Sequence, residues 1–424
     1  MTATLAVEGG SPLRGVARLP GDKSISHRAL LIAGLARNPS RLRNLSPGAD
    51  VAASRRLIEE FGSRVSDSGA EVTVEPALAR GGQARVVDCG NSGTTMRLGA
   101  GFVANMSRTT LLFGDASLST RPMARVLEPL CSMGATAWSV DEHAPIVIQA
   151  GELRGIDFSP GVASAQVKGA VMLAGLGAQG ETTVRETVRT RMHTEELMRL
   201  AGADVSTADG CSRVRPGSPD GLDLEIPGDP SAAAFWVVAA TITPGSELRV
   251  EGLYRGPGRD AFLDVLSRMQ ADVAIVERGP NLVDLDVRAA ELKGTEITDA
   301  IEIASAVDEL PALAVAAAFA AGTTIIQGAH ELRVKESDRL TAVRDGLSAL
   351  GAKVEETPDG LVIEGAGPQG LTGGVVDAAG DHRIAMAMAV AGCAARGVTR
   401  IDGWSSVEVS DPGFEGQLRG LRAA

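Results

Sequence analysis

The chain has 424 residues, enough for two cores of about 200 residues each. Its 44% hydrophobic and 22% charged content is that of a folded globular protein and excludes a disordered one. A net charge of −12 excludes the broad basic surface that a nucleic-acid backbone requires. Local cationic clusters remain possible, since exposed charges are screened beyond roughly 8–10 Å. Aromatic residues make up only 3% and glycines number 51, so the core must pack small side chains closely. The cysteines, Cys89, Cys131, Cys211 and Cys393, form no C-x-x-C pair, which points to a reducing compartment. Residues 1–7 lack a basic stretch leading into an apolar run, and no segment reaches the roughly 20 apolar residues of a bilayer span. A cytoplasmic protein without nucleic-acid or membrane partners is expected.

Six small-residue apolar segments with polar or glycine-containing heads recur along the chain. They start near Gly21 (GDKSISHRALLIAGLA), Gly90 (GNSGTTMRLGAGFVA), Ser164 (SAQVKGAVMLAGLGA), Gly228 (GDPSAAAFWVVAA), Asp308 (DELPALAVAAAFAAG) and Asp381 (DHRIAMAMAVAGCAARG), about 65–80 residues apart. Their alanine-rich bodies favour helix, and their Ser, Asn and Asp heads suit helix N-caps. A short β-rich segment follows most of them: TTLLF, TTV, ELRV, TTII and VTRI. A second amphipathic segment then ends alike in five repeats, as EEFGSRV, CSMGATA, RLAGADV, SRMQADV and SALGAKV. Glycine there fits a helix C-terminus turning through the left-handed region, and Gln270 fills that place in the fourth repeat. Each repeat reads helix–strand–helix–strands, an α/β unit too small to bury its own face. Three around a shared helical core make one domain, and six make two.

The helix heads hold the chemistry. Lys23, His27 and Arg28 fall in the first turns of one segment, where cations are unfavourable unless an anion sits there. A P-loop is excluded, because Asp22 separates Gly21 from Lys23 and Gly15 is one residue too distant. Ser119-Thr120-Arg121-Pro122-Met123 places an arginine in a tight turn, with Pro122 suited to the next helix's first turn. The stretch Arg333-Val334-Lys335-Glu336-Ser337-Asp338-Arg339 carries two cations, Lys335 and Arg339, at helical spacing beside Glu336. Such a set binds a phosphate and supplies a proton donor in one place. Asp381-His382-Arg383 repeats the cationic head, and Asp308-Glu309 is its acidic counterpart. The five histidines show no ligand spacing, and neither a G-x-G-x-x-G nor a G-x-S-x-G motif occurs. No metal and no cofactor are expected.

Taken in order, GDKSISHR, GNSGTTMR, STRPM, SAQVK, GDPS, DELP, RVKESDRL and DHRIAM resemble the 5-enolpyruvylshikimate-3-phosphate synthase family, from about Val7 to Arg419. The resemblance implies a two-domain inside-out α/β barrel of six βαβαββ repeats, three per domain. One domain would comprise residues 1–20 with 228–424 and the other the inserted residues 21–227, with the active site in the cleft between them. It also implies a monomer that joins shikimate-3-phosphate to phosphoenolpyruvate through a tetrahedral intermediate. By motif, Lys23, Ser24, Arg28, Ser164, Ala165, Gln166, Arg191, Asp308 and Lys335 would bind shikimate-3-phosphate. Lys23, Asn91, Gly93, Thr94, Arg121, Gln166, Arg339 and Arg383 would line the phosphoenolpyruvate site. Asp308 would orient or deprotonate the 5-hydroxyl, and Glu336 with Lys23 would handle the proton at the methylene carbon. GDKS, SAQVK and RTRMHTE resemble the branch of that family that tolerates glyphosate. Two places depart from the pattern: Val409 stands where other branches carry a late lysine, and Gly256-Pro257-Gly258-Arg259 stands where this branch shows N-x-T-R. The sister family acting on UDP-N-acetylglucosamine pairs its early lysine with Asn and carries a Cys before its Arg-Pro. Here Ser24 follows Lys23, and no Cys lies between Asn91 and Arg121.

Overall fold

Helices with no exposed face set the architecture. Every residue of Pro230–Ile242, Leu310–Ala318 and His382–Ala394 is buried. Nearly every residue of Lys23–Leu35 and Gly93–Ala104 is buried too, as is the body of Ala165–Gly175. A helix apolar all round belongs inside a core, so these six form the centres and the sheets lie outside them. The computed structural model describes residues 3–77, 82–106, 108–149, 151–367 and 370–423. It divides into two units, Met1–Pro20 with Pro227–Ala424, and Gly21–Ile226. Helices Pro230–Ile242, Leu310–Ala318 and His382–Ala394 pack on one another in the first unit. In the second, Gly93–Ala104 packs against both Lys23–Leu35 and Ala165–Gly175. The last contact is backbone-close: a Cβ on Gly101 would lie 2.1 Å from the Ala170 carbonyl oxygen, so only glycine fits there.

Each repeat contributes one small mixed sheet. Arg85–Asp88 runs parallel to Thr109–Phe113, which pairs antiparallel with His143–Gln149, itself paired with Thr136–Val140. The order is β-α-β-α-β-β, and the sheets built on Thr182–Arg185 and Ala321–Ile326 repeat it. Two sheets take their parallel edge from far along the chain. Asp223–Glu225 pairs with Ser40–Arg43, and Arg14–Arg18 with Glu247–Tyr254. The second pairing splits one repeat around the whole inserted unit. The sixth sheet has three described strands, Thr4–Glu8, Val398–Asp402 and Val375–Asp377. All five β-rich segments read in the sequence are strands, and Ser40–Arg43 is the equivalent that the pattern missed. Aromatic residues are few and concentrated: Phe414 stacks on Trp236 at 4.4 Å and meets Phe235 edge-on, fastening the Phe414–Ala423 helix to a core helix.

The recurrent endings have one shared conformation. Gly62, Gly134, Gly202 and Gly351 all have positive φ, between 73° and 107°, and Gln270 takes φ 66° in the fourth repeat. The turn is thus imposed by the repeat even where glycine is absent. A side chain in this region costs roughly 1–2 kcal/mol, while glycine gives back about 0.5–1 kcal/mol through the unfolded chain. Gln270→Gly is therefore expected to stabilise by about 0.5–1 kcal/mol, raising Tm by about 1–3 °C in calorimetry. An unchanged or lower Tm would show that the Gln270 side chain makes up the difference.

Candidate active site

Because the core helices are buried along their length, their polar groups sit at their N-termini. Side chains of Asp22, Ser92, Ser164, Asp229 and Asp381 accept the first backbone N–H groups of five of them. The sixth, Leu310–Ala318, starts after Glu309, whose carboxylate makes no cap. It accepts instead from Ser231 Oγ at 2.5 Å and from Arg259 Nη1 at 3.3 Å, while Arg259 Nη2 donates to Asp229 at 2.8 Å. Arg259 is thus the buried tie between two helix heads. Asn at 256 would force Tyr254, the chain's one tyrosine, to move, since a Cβ there would lie 1.9 Å from its hydroxyl.

In Gly21–Ile226 the expected ligand residues fall into several hydrogen-bonded groups at the helix heads. Arg28, buried to 2% exposure, donates to Thr194 Oγ1 at 2.7 Å, the Ser24 carbonyl at 3.0 Å and the Ala165 carbonyl at 3.1 Å. Arg191 reaches Ser24 Oγ at 3.4 Å, and Lys23 pairs with Asp50 at 3.1 Å. Gln166 donates to Thr94 Oγ1 and accepts from Arg97, both at 2.9 Å. Arg121 donates to Asn91 at 2.7 Å. A Cβ on Gly93 would lie 2.9 Å from Arg97 and 3.2 Å from Arg121, so that glycine keeps space beside two guanidinium groups. Ser164 and Gln166 are helix-head residues, as the repeat pattern implies, with Ser164 the cap. Pro122 lies before the cap of Ala124–Ser132 rather than in its first turn.

His27 is neutral. Burial, then Lys23 and Arg28, pushes its pKa well below the ordinary histidine value. Its tautomer follows from the network. The Asp50 carbonyl can only accept, so Thr95 donates to it, Ser54 donates to Thr95, and His27 Nδ1–H donates to Ser54 at 2.8 Å. This chain of hydroxyls joins three helices beneath Lys23.

In Met1–Pro20 with Pro227–Ala424 the centre is Arg339, 1% exposed. Its guanidinium donates to Asp381 at 2.7 and 3.3 Å, to Glu336 at 2.5 Å and to Asp308 at 3.4 Å. Arg383 donates to the Asp308 carbonyl at 2.8 Å and lies 3.7 Å from its carboxylate. Burial pushes the Lys335 ammonium below the usual lysine range, with Asp308 pulling the other way and Arg339 adding to the push. The helical spacing expected for residues 335–339 does not hold. Residues His330–Val334 form a 3₁₀ turn, Lys335 is extended, and the helix begins only at Arg339 behind its cap Asp338. Glu336 still reaches Arg339 because the turn before a helix start folds back on it.

The reading missed Arg97, Asp50, Thr194 and the carboxylate of Asp381 as partners. Arg97 had a signal, one helical turn beyond Gly93 inside GNSGTTMR; Asp50 and Thr194 lie in second helices, where none was visible. Among the described residues no group of three or more His, Cys, Asp or Glu side chains is arranged to hold a metal ion.

Residues 7–418 match the family described as EPSP synthase (3-phosphoshikimate 1-carboxyvinyltransferase). A 3-phosphoshikimate 1-carboxyvinyltransferase of Desulforudis audaxviator (strain MP104C) is 46% identical over 432 residues, covering 99% of each chain. The structure of EPSP synthase from Acinetobacter baumannii superposes with a TM-score of 0.85 at 34% identity, over 99% of this chain and 98% of that one. The enolpyruvyl transferase NikO from Streptomyces tendae shares the fold, with a TM-score of 0.77 at 19% identity over 99% and 98% of the two chains.

Beyond Val409, where other branches carry the lysine, Asp411 is buried before the last helix, and its Oδ2 has no hydrogen-bond partner. Burial first, and then Asp229, pushes its pKa up to about 6, against opposing bonds from the Gly413 and Phe414 amides. The folded pKa exceeds the unfolded value of 3.8, so the neutral form's stability is present below about pH 4 and lost as pH rises through about 6. Asp411→Asn should thus leave Tm unchanged at pH 4 and raise stability at pH 7–8 by on the order of 2 kcal/mol. Thermal unfolding across that range checks this; a gain at pH 4 equal to that at pH 8 would exclude titration as the cause.

Proposed function

We infer a division of roles among these residues from one premise: the chain belongs to the EPSP synthase family, that of 3-phosphoshikimate 1-carboxyvinyltransferase. It transfers the enolpyruvyl group of phosphoenolpyruvate to the 5-hydroxyl of shikimate-3-phosphate and releases phosphate, a step of the shikimate pathway. The observation that carries the role assignment is the buried Arg339 guanidinium shared by Asp308, Glu336 and Asp381. A fork of five donors suits an anion, and Asp381, which also caps a helix, holds it from behind. Glu336 and Asp308 take the places that substrate anions would take.

The contacts then follow from the family motifs these residues occupy. Lys23, Ser24, Arg28, Ser164, Ala165, Gln166, Arg191, Asp308 and Lys335 bind shikimate-3-phosphate. Arg121, Arg339 and Arg383, with Lys23, Gln166, Asn91, Gly93 and Thr94, bind phosphoenolpyruvate. Anions arriving on Arg339 compete with Glu336 for its donors and free that carboxyl for proton transfer. Asp308 accepts the 5-hydroxyl proton as the oxygen bonds to C2 of phosphoenolpyruvate, and Glu336 protonates the methylene carbon. Glu336, together with Lys23, takes a methyl proton back as the C2–O bond to phosphate breaks. No helix among the described residues is long and apolar enough to cross a membrane. We infer a cytoplasmic enzyme, from the cysteine pattern, acting as a monomer.

Phosphate release with both substrates tests the assignment. Glu336→Gln should lower kcat by on the order of 10²–10⁴-fold with little change in shikimate-3-phosphate binding. Lys335→Met should mainly raise the KM for shikimate-3-phosphate. Exchanged phenotypes would reverse the two roles, and release supported by UDP-N-acetylglucosamine in place of shikimate-3-phosphate would overturn the acceptor.

We further propose partial tolerance to glyphosate, supported by SAQVK, RTRMHTE and Val409. Against full tolerance stands Gly93, which leaves room beside Arg97 and Arg121. A methyl group there presses on both guanidinium ends. An overpacking cost of about 1–3 kcal/mol corresponds to a roughly 5- to 150-fold weaker inhibitor. Gly93→Ala should raise the inhibition constant by that factor and the KM for phosphoenolpyruvate much less. Equal inhibition constants for the two proteins would remove Gly93 from the inhibitor's surroundings.

A further inference from the structure

A buried ionic group in Gly21–Ile226 takes no part in the roles above. Lys168 is fully buried in the first turn of Ala165–Gly175, beside the helix-head residues Ala165 and Gln166. Its ammonium lies 2.8 Å from Glu186 and 2.8 Å from Glu195, with Met192 Sδ at 3.9 Å. Thr190 donates to the other oxygen of Glu186, and Ser212 donates to Glu195 at 2.7 Å. The second Glu195 oxygen is buried with no hydrogen-bond partner. One cation thus holds two buried carboxylates.

Burying three charges is costly, and a well-packed apolar substitute is commonly as stable or more so. What such a group does supply is fixed position. Glu186, Thr190 and Met192 belong to the loop 186–192, which runs between strand Thr182–Arg185 and helix His193–Leu200. A backbone bond from Glu186 to the Gly210 carbonyl secures its start. That loop carries Arg191, which reaches Ser24, and the helix after it carries Thr194, which holds Arg28.

We propose that Lys168 is a positioning residue: through Glu186 and Glu195 it ties the Arg191 loop and Thr194 to the Ser164–Gln166 helix head, and so sets the affinity for shikimate-3-phosphate. The proposal rests on the assignment of Arg191 to that substrate. Phosphoenolpyruvate, held mainly by other residues, is affected little.

Lys168→Met leaves two buried carboxylates unpaired and risks misfolding, so Glu186→Ala is the sharper variant: it leaves Lys168 and Glu195 as a balanced pair. Calorimetric titration with shikimate-3-phosphate compares the unaltered protein, Glu186→Ala, Arg191→Ala and the double variant. Arg191→Ala should weaken binding about 10-fold or more and Glu186→Ala about 5- to 30-fold, with the double variant within about twofold of Arg191→Ala alone. The KM for phosphoenolpyruvate should move less than about twofold in Glu186→Ala. If Glu186→Ala binds normally while Arg191→Ala does not, or if the two losses multiply, the tether is only structural and the proposal falls. If Arg191→Ala itself binds normally, the assignment of Arg191 falls, and the proposal with it.

Discussion

A helix buried on every side can present polarity only at its ends, and the rest of this structure depends on that constraint. Side chains along the six core helices are mostly Ala, Val, Leu, Ile, Gly and Met, so beyond the first turns little along their length can bind a polar ligand. Their N-termini are different: unpaired amides, a positive dipole end and cap residues coincide there. Charged residues accumulate at those termini because the apolar sides of these helices do not admit them. The placement of Lys23, Arg28, Arg383 and their acidic partners is therefore a consequence of how the core packs, before any ligand is considered.

Those heads are also self-neutralised. Arg339 is matched by Asp381, Glu336 and Asp308, Lys23 by Asp50, and Arg259 by Asp229 and Glu309. Buried guanidinium groups without such partners would be prohibitively costly. The partners fall into two kinds. Asp229 and Asp381 are fixed, since each also caps a helix. Glu336 and Asp308 cap no helix, and they occupy the same donors that a phosphate or carboxylate would use. One carboxylate on this arginine is thus fixed by helix capping, and two are not.

Much of this was legible in the sequence, for physical reasons. Periodic small-residue segments announce buried helices, and capping residues announce where they begin, so Asp22, Ser164, Asp229 and Asp381 were visible as heads. The αL ending was visible from its glycines, and Gln270 shows that the backbone turn, not the glycine, is what repeats. Less legible was anything decided by packing between distant segments. Thr194 as a partner of Arg28, and Asp50 as a partner of Lys23, depend on second helices whose sequences resemble any amphipathic surface. The spacing of Lys335 and Arg339 misled because a cap at Asp338 starts the helix late. Gly256 looked like a simple departure until Tyr254 was seen to fill the space beside it.

The split repeat has a consequence for synthesis on the ribosome. Strand Arg14–Arg18 finds its partner, Glu247–Tyr254, about 230 residues later. At roughly 5–20 residues per second the first strand waits for something like 10–50 seconds. Residues 21–226 wait somewhat less, since their own distant pairing, Asp223–Glu225 with Ser40–Arg43, closes about 180 residues later and within the unit. The inserted unit is therefore complete while its host still lacks most of its core. Leu13, Ala17 and Leu19, all buried in the finished fold, spend that interval without partners. Any holding factor acting on the nascent chain has an extended opportunity at this segment near the N-terminus.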